Sequence, residues 1–254
     1  MRPAMTRLFW RAAIAASAFA VAGALATAAV SAAPAAVAAP DQRDDTAACR
    51  QGDPDTCDGD PMRQLAVTGE RLVTEYLTGI GIAGDSLPRL RYIAAGGSAT
   101  SQCVDVNGQD AQHDRSYNYC VTDNTVYLGQ ETLRDFSQRY GPWGPISGIA
   151  HEYGHFLQAV RHVPSPVGAA ETIRNENQAD CFSGAFVKSV EDRDTAQPAI
   201  TVDSIERYLR ATASVDAPGR DHGTAPERID SFALGHRGGL AACSQFFPAT
   251  PLTG

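Results

Sequence analysis

Residues 148–160, GIAHEYGHFLQAV, constrain the chain more than any other stretch. The apolar flanks GIA and FLQAV mark a helix that belongs in a core, yet His151, Glu152 and His155 interrupt it. Burying three ionisable groups without partners is costly, so the fold has to bring partners to this helix. Each helical residue advances about 100°, which puts His151 and His155 about 40° apart on one face. Two imidazoles so placed converge on one Zn²⁺, while Glu152, offset by about 100° from His151 and about 60° from His155, lies beside the ion. That is the HExxH arrangement of two ligands and one general base. Gly154 costs about 1 kcal/mol in a helix interior relative to alanine, which predicts that another element packs closely there.

A catalytic zinc site takes a third protein ligand. The HExxHxxGxxH pattern is excluded, because position 158 is Gln, position 161 is Arg and His162 is one residue out of register. The next candidates are Glu176 and Asp180 in NENQADC, spaced i, i+4 on one face of a following helix. The intervening VPSPVG lets that helix return antiparallel. Either carboxylate is a candidate ligand on this spacing, and the bland alternative is a solvated acidic stripe.

The rest of the chain frames this helix. Arg2, Arg7 and Arg11 precede an Ala/Val-rich run ending in VSA and AVA, which predicts a signal peptide over residues 1–38. The alternative is a retained membrane anchor, since the run is long enough to span a bilayer. Cleavage removes three arginines and no acids, moving the formal charge from −8 to −11, 18 basic residues against 29 acidic. Such a chain is a poor partner for nucleic acid or anionic membranes. The six cysteines predict disulfides in an exported protein, with proximity favouring Cys49–Cys57 and Cys103–Cys120 and leaving Cys181 with Cys243. No CxxC spacing supports a cysteine-ligated metal.

Residues 39–61 read as a flexible acidic lead-in, and 62–254 as one domain. A helix is predicted over Met62–Leu77, and strands over 89–95 and 124–129, with a polar excursion between them stapled by Cys103–Cys120. Helices follow over 130–140, 146–162, 171–190 and 203–214, and after residue 224. DSIE and TAPE both look like capping boxes. Strands first and helices later predict an α+β fold with one principal core.

HEYGH, ENQADCFSG and HGTAPER, in that order, resemble the bacterial neutral zinc metallopeptidases, over about residues 90–240. Phe156, Asn177 and Ser183 depart from the usual pattern without removing a ligand or the base. The resemblance implies a zincin-like, thermolysin-like fold and a secreted peptidase holding one Zn²⁺. It makes Glu176 the third ligand beside His151 and His155, with Asp180 orienting a histidine from behind. Glu152 becomes the base, and His222, in the HGT block, an oxyanion donor. By analogy the substrate, a peptide or protein, lies along an edge strand, for which NTVYLG with Tyr127 is the candidate. Rival readings are a zinc hydrolase of another amide, such as a cell-wall amide, and a non-catalytic zinc protein. His113, His162 and His236 carry no functional reading.

Overall fold

A computed structural model describes residues 59–103, 111–193 and 200–253. The signal segment, nearly all of the acidic lead-in and the Cys49–Cys57 pairing lie outside the described residues.

Asp60 starts the first helix, α1 (Pro61–Gly79), by accepting a 2.9 Å bond from the Met62 amide, and Pro61 fills the first turn, where no amide is needed. Its buried face carries Leu72, Val73, Tyr76 and Leu77. Strands β1 (Arg89–Ile93), β4 (Tyr117–Cys120) and β5 (Thr125–Gly129) form one sheet in the order β1-β5-β4. β1 runs parallel to β5, and β4 antiparallel to it. The polar excursion holds β4 and a separate two-stranded sheet of β2 (Ser98–Thr100) and β3 (Ala111–His113). These strands are too short and polar to show an apolar alternation. The Cys103–Cys120 disulfide ties this region to the end of β4.

One expectation fails here. β5 is paired on both sides and all five of its residues are buried, so it is the centre of the sheet. A run of apolar and β-branched residues marks burial on both faces, which is a property of a central strand. The strand with an open side toward the helices is β4.

The helices are α2 (Gln130–Tyr140), α3 (Trp143–Val160), α4 (Ala169–Arg193), α5 (Val202–Ala211) and α6 (Ala225–Ala242). α3 carries the HEYGH run and begins three residues earlier than predicted. Pro142 and Pro145 lie at its cap and in its first turn, where proline is tolerated. It packs against α1, α2, α4, α5 and β4, so nearly all of it is buried. α4 and α6 lie close enough that a Cβ on Gly235 would sit 1.8 Å from the Cys181 carbonyl oxygen. The Cys181–Cys243 disulfide joins α4 to the residue just past the end of α6. TAPE forms its capping box at α6, whereas DSIE forms none. Thr201 takes the N-cap position of α5, without a side-chain capping bond, which leaves Asp203 inside the first turn, paired with Arg207 at 3.3 Å. Among the described residues no helix is long and apolar enough to cross a membrane. The fold is α+β.

Candidate metal centre

α3 and α4 approach each other closely at Gly154. A Cβ there would lie 3.0 Å from Ala179 Cα and 3.2 Å from its Cβ, which accounts for a glycine inside a buried helix. Beside this contact, α3 presents His151 and His155, and α4 presents Glu176 and Asp180.

His151 is sandwiched between the two carboxylates. Its Nδ1 lies 2.8 Å from Asp180 Oδ1 and its Nε2 lies 3.1 Å from Glu176 Oε2. His155 Nε2 is 3.1 Å from His151 Nε2 and 3.4 Å from Glu176 Oε1. Burial works to lower the His151 pKa, but Asp180 and Glu176 outweigh it and raise it to about 10. Burial pushes Glu176 the other way from the histidines, and His155 and His151 prevail, holding it well below the usual carboxylate range.

Asp180 does not point at this cluster with a free oxygen. It is fully buried, and Arg228 grips it with Nε to Oδ2 at 2.8 Å and Nη2 to Oδ1 at 2.9 Å. Burial raises the Asp180 pKa, but Arg228 and then His151 overcome it and bring it down to about 2. Arg228 is itself 3 % exposed, and its remaining Nη1 donates to the Thr212 carbonyl and hydroxyl. Sequence reasoning missed this residue. A signal was available: Arg228, Phe232 and Gly235 recur at i, i+4, i+7, so a charge sits on the buried stripe of α6.

Glu152 is set apart from the cluster, as helical spacing predicts. Its Oε2 accepts a 2.8 Å bond from the Tyr119 amide, on the outer strand β4. Burial raises its pKa above the ordinary value, with His151 and His155 opposing. His222 arrives from the loop before α6. Its Nε2 lies 3.4 Å from Glu176 Oε2, its Nδ1 lies 3.2 Å from Asp221, and its ring stacks on His151 with centroids 6.5 Å apart. Arg220 anchors that loop by bonding both oxygens of Glu227 and the His222 carbonyl.

The donor set suits a zinc ion. Donors about 2.0–2.1 Å from a tetrahedral ion lie about 3.3 Å from one another. The closest atoms of His151, His155 and Glu176 are 3.1, 3.1 and 3.4 Å apart. Two imidazole nitrogens at 3.1 Å also need a proton or a cation between their lone pairs. His151, Glu176 and His222 form a second metal-capable trio, with ligand atoms all within 4.8 Å.

The family model described as "Putative neutral zinc metallopeptidase" matches residues 99–246. The chain belongs to this family. The match includes β3 through α6, most of β2 and every site residue named above. An uncharacterized Mycobacterium tuberculosis protein, Rv2575, is 28% identical over 163 residues, covering 53% of this chain and 56% of its own length. An uncharacterized Escherichia coli protein, YpfJ, is 29% identical over 156 residues, covering 50% of this chain and 53% of its own. The chain therefore spans about half the length of the relatives it matches. No solved structure matches it.

Proposed function

We propose that this metallopeptidase-family chain hydrolyses peptide bonds outside the cytoplasm, using one zinc ion held by His151, His155 and Glu176. The observation that carries the reading is the division of labour on α3. Three donors converge within 3.1–3.4 Å, while Glu152, on the same helix as the two histidines, is turned aside to the Tyr119 amide.

Zinc, when bound, supplies a Lewis acid that polarises a carbonyl and acidifies a water. The chain's own residues do the rest. Glu152 has one oxygen tied to Tyr119, which leaves the other to accept a proton from the attacking water and return it to the leaving amine. Its burial raises the carboxyl pKa toward the range where a base works best near neutral pH. Asp180 holds the His151 ring from behind and Arg228 holds Asp180, so the first histidine keeps its orientation through the reaction. His222 Nε2 reaches the same space and is the proposed donor to the developing oxyanion. An extended substrate is proposed to lie along β4, whose outward-facing Tyr119 amide already meets Glu152. The described disulfides and the N-terminal segment favour an oxidising, extracytoplasmic setting.

Glu152→Gln tests the mechanism. The variant is expected to keep one zinc per chain while peptide cleavage falls by about 10²–10⁴-fold. Retained zinc with wild-type cleavage would sink it. A panel of peptide and cell-wall amide substrates separates a peptidase from a hydrolase of other amides.

A further inference from the structure

His155 is backed by amides where His151 is backed by charge. His155 Nδ1 lies 2.9 Å from Gln158 Oε1. Gln158 Nε2 donates to the Asn175 carbonyl at 2.8 Å and to Gln178 Oε1 at 3.1 Å. Gln178 Nε2 donates in turn to the Cys243 carbonyl at 3.1 Å. Gln158 is 5% exposed and Gln178 is fully buried, so neither amide has a ready alternative in solvent.

The direction of this chain follows from its ends. The oxygen and nitrogen of a side-chain amide are distinguished by their partners. A main-chain carbonyl can only accept, so the NH₂ of Gln158 must face Asn175 and that of Gln178 must face Cys243. Gln178 Oε1 is then left to accept from Gln158, and Gln158 Oε1 is left for His155. Both remaining contacts pair a donor with an acceptor. Reversing Gln158 would set its oxygen against two acceptors, Asn175 O and Gln178 Oε1. An oxygen at His155 Nδ1 requires the proton on that nitrogen, and in the neutral ring this leaves the lone pair on Nε2. Nε2 is the atom that faces His151 and Glu176.

We infer that Gln158 and Gln178 are positioning residues, forming an amide relay that selects the Nδ1–H tautomer of His155 and aims its Nε2 lone pair at the metal position. The relay is anchored on two main-chain carbonyls, one at Asn175 in the second turn of α4 and one at the disulfide-bonded Cys243. It ties the second histidine to the same α4–α6 framework that holds the first. Its consequence for metal affinity rests on the zinc reading above; the choice of tautomer does not.

The test uses the full chain, ¹⁵N-labelled at histidine, zinc-free at a pH that leaves the ring neutral, and zinc-loaded. Long-range ¹H–¹⁵N correlations read which ring nitrogen carries the proton, and chelator competition reads zinc affinity. The wild type is expected to show Nδ1–H for His155. Gln158→Leu is expected to show mixed tautomers and zinc binding weakened by about 10–100-fold. Gln178→Leu leaves Asn175 to orient Gln158, so its loss of affinity should be real but less than about tenfold. This second variant reads the same two quantities if Gln158→Leu does not fold. A wild-type ring protonated at Nε2, or unchanged tautomer and affinity in the variants, overturns the inference. A wild type that binds no zinc would remove the zinc reading, and the tautomers alone would then decide the relay.

Discussion

The two imidazoles on α3 stand one helical turn apart and face the same carboxylate, yet they are supported in opposite ways. Behind His151 lie a buried carboxylate and a buried guanidinium, two full charges that cancel. Behind His155 lie two neutral amides ending on main-chain carbonyls. The charged support is strong but fails badly when half of it is removed, because the survivor is a lone charge in a core. The neutral support costs less to bury and less to break. The site thus has one arm that sets its electrostatics and one that sets its geometry.

Breaking the charged arm should have the largest effect. Arg228→Met leaves Asp180 buried without its guanidinium, and urea unfolding should show a loss of about 3–5 kcal/mol. Gln178→Leu, the matching cut in the neutral arm, should cost about 1–3 kcal/mol in the same measurement. Equal losses would mean that the two arms do not differ as described. His222→Ala, on the loop beside the charged arm, should lower peptide cleavage by about 10²–10³-fold at unchanged zinc content. Intact turnover would remove His222 from the oxyanion role. Asp180→Asn should weaken zinc by about 10–100-fold in chelator competition, since His151 loses an ionic partner but keeps a polar one. Gly154→Val should loosen both arms together: α3 and α4 must part at Ala179, costing about 1–3 kcal/mol, with weaker zinc binding as the second readout.

The smallest effect lies in acid. The folded-state Asp180 pKa is about 2, below its ordinary 3.8. Its ionised form therefore adds stability that is complete above about pH 4 and fades as pH falls toward about 2. Stability measured in chelator across that window should slope less for Asp180→Asn than for the wild type, the remaining slope belonging to Glu176 and Glu227, whose pKa values are also lowered. A parallel slope in both would place the acid sensitivity elsewhere.

Most helices were legible, because their periodicity is a local property. α2 matches its predicted span, and α1, α3 and α4 differ only at their ends; Pro61 and Pro145 lie in the first turns of α1 and α3, which therefore start earlier than predicted. DSIE misled because the capping pattern needs a chain that turns at the right residue, and α5 starts two residues earlier, from Thr201. The sheet was harder to read. β2, β3 and β4 are short and polar, held by register and a disulfide instead of an apolar face. NTVYLG looked like a good strand and was, but the same apolar content that identified it also buried it at the sheet's centre.

At the site, the sequence alone determined which residues stand on one face. Helical spacing paired His151 with His155, set Glu152 aside, and aligned Glu176 with Asp180. It left open which acid turns its oxygens toward the histidines. Only the tertiary structure gave each acid its contacts: Glu176 meets the two Nε2 atoms, while Asp180 meets His151 Nδ1 and is bonded through both oxygens by Arg228, 48 residues away. It likewise carried Gln178 to the Cys243 carbonyl, 65 residues on, and put β4 rather than β5 beside Glu152. The physical reason is one of range. Periodicity follows from the geometry of a single helix, whereas the direction of a hydrogen bond depends on which distant donor or acceptor the fold sets opposite it.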